Sequence, residues 1–258
     1  MGVFEHDGWD ARLRVGLLVP DGDIGPEAEW SAMVPEGVAT NVSRFHFPVG
    51  PVAAEADRID VSPVEFVAAP GPLDDAVAMC NPPTIDGYAL AFTSTSYVGD
   101  DGALASRLSA AAGGRPVVTT GQALLAAVER FDASRVALVD PPWFPPELSA
   151  LGQAWLEANG VSVVGATAAG LPSGQGNIHP GSVHRWLCDT FDGSPGLGRA
   201  DLVLIGGNGF RVVGAIKAAE ADTGVPIVSA NTALLWYTLR TLRHRTASIR
   251  NYGRLFAE

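Results

Sequence analysis

The chain has 258 residues, 47% of them hydrophobic and 17% charged, with a formal net charge of -11. That suits one large globular domain or two similar lobes, and an acidic balance with no basic stripe argues against a nucleic-acid partner. The two cysteines, Cys80 and Cys188, are far apart and in no metal-ligand spacing, so neither a disulfide framework nor a zinc site is expected; no apolar run reaches the roughly 18 residues of a membrane span.

The N-terminal stretch "MGVFEHDGWDARLRV" is charged and lacks the apolar segment of a signal peptide, which points to a cytoplasmic protein. The first predicted strand, in "RVGLLVPDG" (Arg14 to Gly22), ends in Val19, Pro20 and Asp21. A second, in "DGYALAFTS" (Asp86 to Ser94), ends in Phe92, Thr93 and Ser94. A helix over Asp101 to Ala112 leads to a strand ending in Val118, Thr119 and Thr120, then to a helix over Gly121 to Phe131. The pattern restarts with "RVALVDPPW" (Arg135 to Trp143), whose strand ends in Val139, Asp140 and Pro141. Helices over Pro146 to Ala158 and Pro180 to Phe191 precede "DLVLIGGNG" (Asp201 to Gly209), where the strand stops at Gly206 to Gly209. A helix from Phe210 to Thr223, a strand ending in Val228 to Asn231 and a helix from Thr232 to His244 follow. The basic tail "HRTASIRNYGRLFAE" reads as a surface extension.

The second half echoes the first. "RVGLLVPDG" matches "RVALVDPPW" at an offset of 121, "DGYALAFTS" matches "DLVLIGGNG" at 115, and "PVVTTGQALLAAV" matches "PIVSANTALLWYT" at 110. Continuous apolar runs alternating with helices indicate parallel sheets covered on both faces. The expected fold is α/β: two pseudo-twofold-related lobes, residues 1–131 and 132–258, each a parallel sheet of about four strands flanked by helices. The chain is free to cross back between lobes near its C-terminus. Ligands of open parallel sheets sit beyond the carboxyl ends of the strands, so the duplication places the site in a cleft between the lobes.

At those tips Thr93 and Ser94 offer hydroxyls, Gly207 to Gly209 let backbone approach a ligand, and a helix from Phe210 would add its positive end. The plainer reading makes all of these turn and cap residues. His179, in "GQGNIHPGSV", is either an acid or base or a helix cap. Asp21 and Asp23 follow the first strand and Asp140 the equivalent strand of the second half; each could enter the cleft or sit in a solvated turn. Phe92 and Trp143 would make the pocket drier. Trp236 and Tyr237 fall on a helix and read as core.

The segments "LAFTSTS", "RPVVTTGQALLAAV", "RVALVDPPW", "DLVLIGGNGF" and "VPIVSANTALLWYTL" resemble the aspartate/glutamate racemase superfamily, and within it the maleate cis-trans isomerase and arylmalonate decarboxylase branch, from about Arg14 to Leu242. The resemblance implies two Rossmann-like lobes with a carboxylate pocket between them, served by one or two cysteines at matched strand tips. Here the first of those positions is Phe92 and the second Gly207. The family's tyrosine aligns with Trp143 or Pro142, and its asparagine after the first strand with Asp21 or Asp23. A carboxylate cradle would survive in Thr93, Ser94, Thr119, Thr120, Asn208 and Gly209.

The expectation is therefore a Cys-independent enzyme acting on a small carboxylic acid by decarboxylation, isomerisation or related enolate chemistry, with His179, Asp21 or Asp140 moving the proton. Its rival is a non-catalytic ligand-binding protein or partner subunit on the same fold. No cofactor and no metal is expected. The partner is a small carboxylate, with neither nucleic acid nor membrane involved, and a homo-oligomer is compatible with the sequence.

Overall fold

Apolar runs that stop abruptly in Pro, Gly, Ser or Thr become strands buried on both faces in the computed structural model, which describes residues 9–48, 59–80, 82–193 and 197–257. The start of the N-terminal stretch, residues 1–8, lies outside the described residues. The first half runs β1 (Leu13–Pro20), α1 (Gly25–Met33), β2 (Val38–Phe45), α2 (Val61–Ala68), α3 (Pro72–Met79), β3 (Gly87–Leu90), α4 (Ser94–Val98), α5 (Asp101–Ala111), β4 (Val117–Thr119) and α6 (Thr120–Arg130). The second half runs β5 (Val136–Asp140), α7 (Pro146–Ala158), β6 (Val163–Ala168), α8 (Pro180–Gly193), β7 (Leu202–Ile205), α9 (Val213–Thr223), β8 (Ile227–Ser229) and α10 (Ala230–Thr241).

Two four-stranded parallel sheets result, in the orders β2-β1-β3-β4 and β6-β5-β7-β8, so the halves share one topology. Their registers reproduce the offsets read from the sequence. Val15 pairs with Gly87 and Val136 with Leu202; Tyr88 pairs with Val117 and Val203 with Ile227. Each sheet is also clasped the same way at the start of its central strands. The Arg14 amide donates to Asp86 Oδ2, and the Arg135 amide donates to Asp201 Oδ2. The last helix of each half begins in a reciprocal cap, Thr119 with Gln122 and Ser229 with Thr232.

One apolar cluster joins the sheets across α6 and α10, through Leu124, Ala127, Ala233 and Leu234. A second cluster fills the far side of the second sheet, and Tyr97 of α4 belongs to it, packed against Phe144 and Trp155. The halves therefore interlock. Two expectations need correction. The helix after β7 begins at Val213 and not at Phe210, because Gly207 to Val212 are used in a turn whose Phe210 amide donates to Gly207 O. The basic tail is not a loose extension: Ile249, Leu255 and Phe256 are buried, Tyr252 Oη donates to Ala32 O, and Arg254 binds the last turn of α9. Its aromatic and aliphatic residues, spaced between charges, insert into the joint core. None of the described helices is long and apolar enough to cross a membrane.

Candidate active site

The tips of β1, β3, β5 and β7 face one another across a cavity of about 200 Å³. Its wall comprises Pro20 to Asp23, Phe92 to Ser94, Trp143, Phe144 and Gly207 to Gly209, closed by Phe47, Ile59, Gly174 and Gln175. Aromatic rings supply much of the lining. Phe92 packs edge-on against Phe45 and Phe47, and Trp143 edge-on against Phe210. Phe92 thus places an aromatic ring at the tip of β3.

Gly207, at the tip of β7, has a φ of 74°, in the left-handed region that only glycine enters cheaply. A Cβ there would overlap the Pro141 ring. Beneath the tip, a Cβ on Gly206 would meet Tyr97 Oη at 2.6 Å and Asp140 Oδ1 at 2.7 Å. Tyr97 Oη donates to Asp140 Oδ1 at 3.0 Å, and burial raises the Asp140 carboxyl to about 7. Asp140 is fully buried and does not line the cavity; it supports the tip from behind.

Thr93 and Asn208 meet, but they hold each other. The Thr93 amide and Thr93 Oγ1 donate to Asn208 Oδ1 at 2.9 and 2.7 Å, and Thr93 Oγ1 accepts from the Gly207 amide at 3.1 Å. Thr120 Oγ1 donates to Leu90 O and stands 3.2 Å from the same Asn208 oxygen. Thr119 caps α6 through the Gln122 amide. Thr119 and Thr120 lie outside the cavity wall, while Thr93, Ser94, Asn208 and Gly209 line it; Thr93 and Asn208 also bolt the two sheets together. Of the cradle's hydroxyl residues, Thr93 and Ser94 line the cavity, and Ser94 Oγ bonds no partner among the described residues.

Behind Asn208 the chain of bonds continues. Asn208 Nδ2 donates to Asn231 Oδ1, and Asn231 Nδ2 donates to Asn208 O and to Glu29 Oε2. Glu29 Oε1 accepts the amides of Val212 and Val213 at 2.8 and 2.9 Å. The free amides at the start of α9, assigned from the sequence to a ligand, are taken up by this buried side chain instead. Burial raises Glu29 to about 7, against the lowering by Asn231 and the two amides.

Of the two aspartates in the cavity wall, Asp23 is the buried one. It is 9% exposed, its Oδ1 accepts from the Gly25 amide at 3.1 Å, and it stands over Gly209 beside Gln175. Burial raises it to about 6, opposed by the bonds from Gly25 and Gln175 and by Arg44. Asp21, also on the rim, pairs with the exposed His46 at 2.8 Å and accepts the Gly22 and Phe47 amides. His179 is exposed and outside the cavity; its carbonyl accepts the amides of Ser182 and Val183 at the start of α8, the capping alternative. Cys80 is buried in the core against β2, and Cys188 lies on α8; neither lines the cavity.

The sequence profile of the arylmalonate decarboxylase family matches residues 85–256, well over half of the chain. The chain belongs to the arylmalonate decarboxylase family. No curated protein sequence matches it. Among solved structures, maleate isomerase Iso from Pseudomonas putida is similar with a TM-score of 0.79 at 20% identity, over 95% of this chain and 98% of that one. Maleate cis-trans isomerase from Nocardia farcinica gives 0.75 at 22%, over 95% and 97%. A crystal structure of arylmalonate decarboxylase gives 0.74 at 21%, over 94% and 98%. At these identities the structural likeness establishes the fold. Family membership is consistent with chemistry on a small carboxylic acid.

Glu29, Asn231 and Gln175 were not singled out in the sequence. Glu29 sits on a helix with no motif around it, Asn231 lies in a repeated segment read only as a strand tip, and Gln175 lies in a Gly-rich loop read only for His179. The one available signal was a glutamate in a helix with a tryptophan beside it, which is common on surface helices.

Proposed function

We propose that this member of the arylmalonate decarboxylase family is a Cys-independent enzyme. It acts on a small carboxylic acid through an enolate, with Asp23 moving the proton. Asp23 in the wall of the aromatic cavity, raised to about 6, carries the reading. A carboxyl poised near neutral pH can accept a proton from the carbon beside a carboxylate and return it. As that proton leaves, the C–H electron pair moves into the carboxylate to form an enediolate. In a decarboxylation the C–C bond breaks instead, carbon dioxide departs with no proton, and its electron pair remains on carbon until Asp23 protonates it. Ser94 Oγ would hold the enediolate oxygen. The dry rings of Phe92 and Trp143 favour loss of a carboxylate charge. The lobe division at Phe131 and Asp132, with α10 and the tail crossing the joint, belongs to the same reading.

Arylmalonates, maleate and related small acids form the test panel, because relatives are named for the first two. Carbon dioxide release, isomerisation and deuterium uptake beside the carboxylate would be followed by NMR in D2O. Asp23→Asn should lower turnover by about 10²- to 10⁴-fold while ligand affinity is kept. Unchanged turnover in that variant would remove Asp23 from the mechanism.

A second reading has its own observation: Thr93 and Asn208 satisfy each other, so the cradle is spent on joining the sheets. On that reading the chain binds a carboxylate without converting it. Saturable binding of panel members with no exchange or turnover would favour it.

A further inference from the structure

We infer that His184, Cys188 and Asp222 form a divalent-metal site, suited to zinc, that ties α8 to α9 on the face away from the cleft. His184 and Cys188 are one helical turn apart on α8, so their side chains emerge on the same side. Asp222 reaches them from the last turn of α9, and the three ligand atoms all lie within 4.8 Å of one another. His184 Nε2 is 3.6 Å from Cys188 Sγ and 2.7 Å from Asp222 Oδ2.

Both contacts converge on the same ring nitrogen. A catalytic relay would place the carboxylate on Nδ1 and the thiol on Nε2, leaving each nitrogen one partner. A single Nε2 proton or lone pair serves only one of the two neighbours. A metal ion in place of that proton serves all three. Bond lengths of about 2.0 Å to nitrogen and oxygen and about 2.3 Å to sulfur set tetrahedral edges of about 3.6 Å for N···S and about 3.3 Å for N···O. The sulfur edge already fits. The oxygen edge needs the carboxylate to withdraw slightly, which the Asp222 side chain, 61% exposed, is free to do.

Thiolate, carboxylate and neutral imidazole balance a dication, and this mixture of soft and hard donors suits Zn²⁺ over Mg²⁺ or Ca²⁺. Arg185 and Asp189 line the same hollow with opposite charges, and water would take the fourth position. The set escapes a spacing rule because its ligands come from two helices. It shares no residue with the cleft, so its fate is independent of the enzyme reading.

The test is a cobalt titration of the whole chain after EDTA treatment. The expected result is about one Co²⁺ per chain, a sulfur-to-cobalt charge-transfer band and tetrahedral visible bands. Zinc should displace the cobalt and raise the melting temperature. Cys188→Ser should abolish the charge-transfer band, His184→Ala and Asp222→Asn should each weaken binding about tenfold or more, and Cys80→Ser should bind like the parent. Absence of the band, its survival in Cys188→Ser or its loss in Cys80→Ser overturns the site. Asp222→Asn changes an exposed group, so undiminished affinity in that variant also overturns it, whatever the fate of the cysteine variant's fold.

Discussion

Asp21 and Asp23 stand two residues apart after the same strand, and their surroundings give them different chemistry. Asp21 is exposed and paired with His46; Asp23 is buried against the Gly209 backbone. Desolvation penalises the charged form, so the second carboxyl titrates near the pH at which proton transfer is useful. If Asp23 removes a proton from carbon, kcat/KM should climb as pH rises through about 6, and the rise should vanish in Asp23→Asn. A fall over the same range would assign it the acid role. At the tip of β7, Gly207→Cys should not install a usable thiol. The positive φ and the Pro141 ring should make it destabilising by about 1–3 kcal/mol, read as a lower urea midpoint at unchanged slope.

The start of α9 shows how one helix end was reassigned. A bare helix N-terminus beside Gly209 would attract an anion, but Glu29 of α1 already takes the Val212 and Val213 amides and, with Asn231, anchors Asn208. Glu29 lies at about 7 in the fold against an ordinary 4.5, so between those values the native state holds the extra proton. Its contribution to stability is complete below about 4.5 and is lost as pH rises through about 7. Asp23 and Asp140, raised to about 6 and about 7, act with the same sign. The melting temperature should therefore fall from pH 5 to pH 8, corresponding to a few kcal/mol (~1–3 from Glu29). Glu29→Gln should flatten that fall. A profile as steep as the parent's would show that Glu29 does not titrate there.

Across the whole molecule, stability is shared between the halves. Helices α6 and α10 pack into one cluster, Tyr97 of α4 enters the second lobe's core, and the tail closes over the joint. Ile249, Leu255 and Phe256 each bury most of a large side chain, at about 1.5–3 kcal/mol apiece. Removing the tail from residue 245 onward should cost on the order of 5 kcal/mol. A truncated chain with an unchanged urea midpoint would mean that the tail packs without stabilising.

The sequence by itself determined six of the eight described strands, the parallel α/β class and the duplication; β2, β6 and the order of strands in each sheet came from the structure. What the sequence determined rests on local signals: apolar runs ended by Gly, Pro or Thr, and segments that recur at offsets of 121, 115 and 110. Those signals also located the cavity, since strand ends point one way in a parallel sheet. Only the tertiary structure decided what the polar residues at the tips do. Thr93 meets Asn208 from 115 positions away and Asn231 meets Glu29 from 202, while Cys188 finds Asp222 only once α8 and α9 pack. A donor's presence is written in the chain; its partner, and the burial that sets its charge, exist only after distant segments come together.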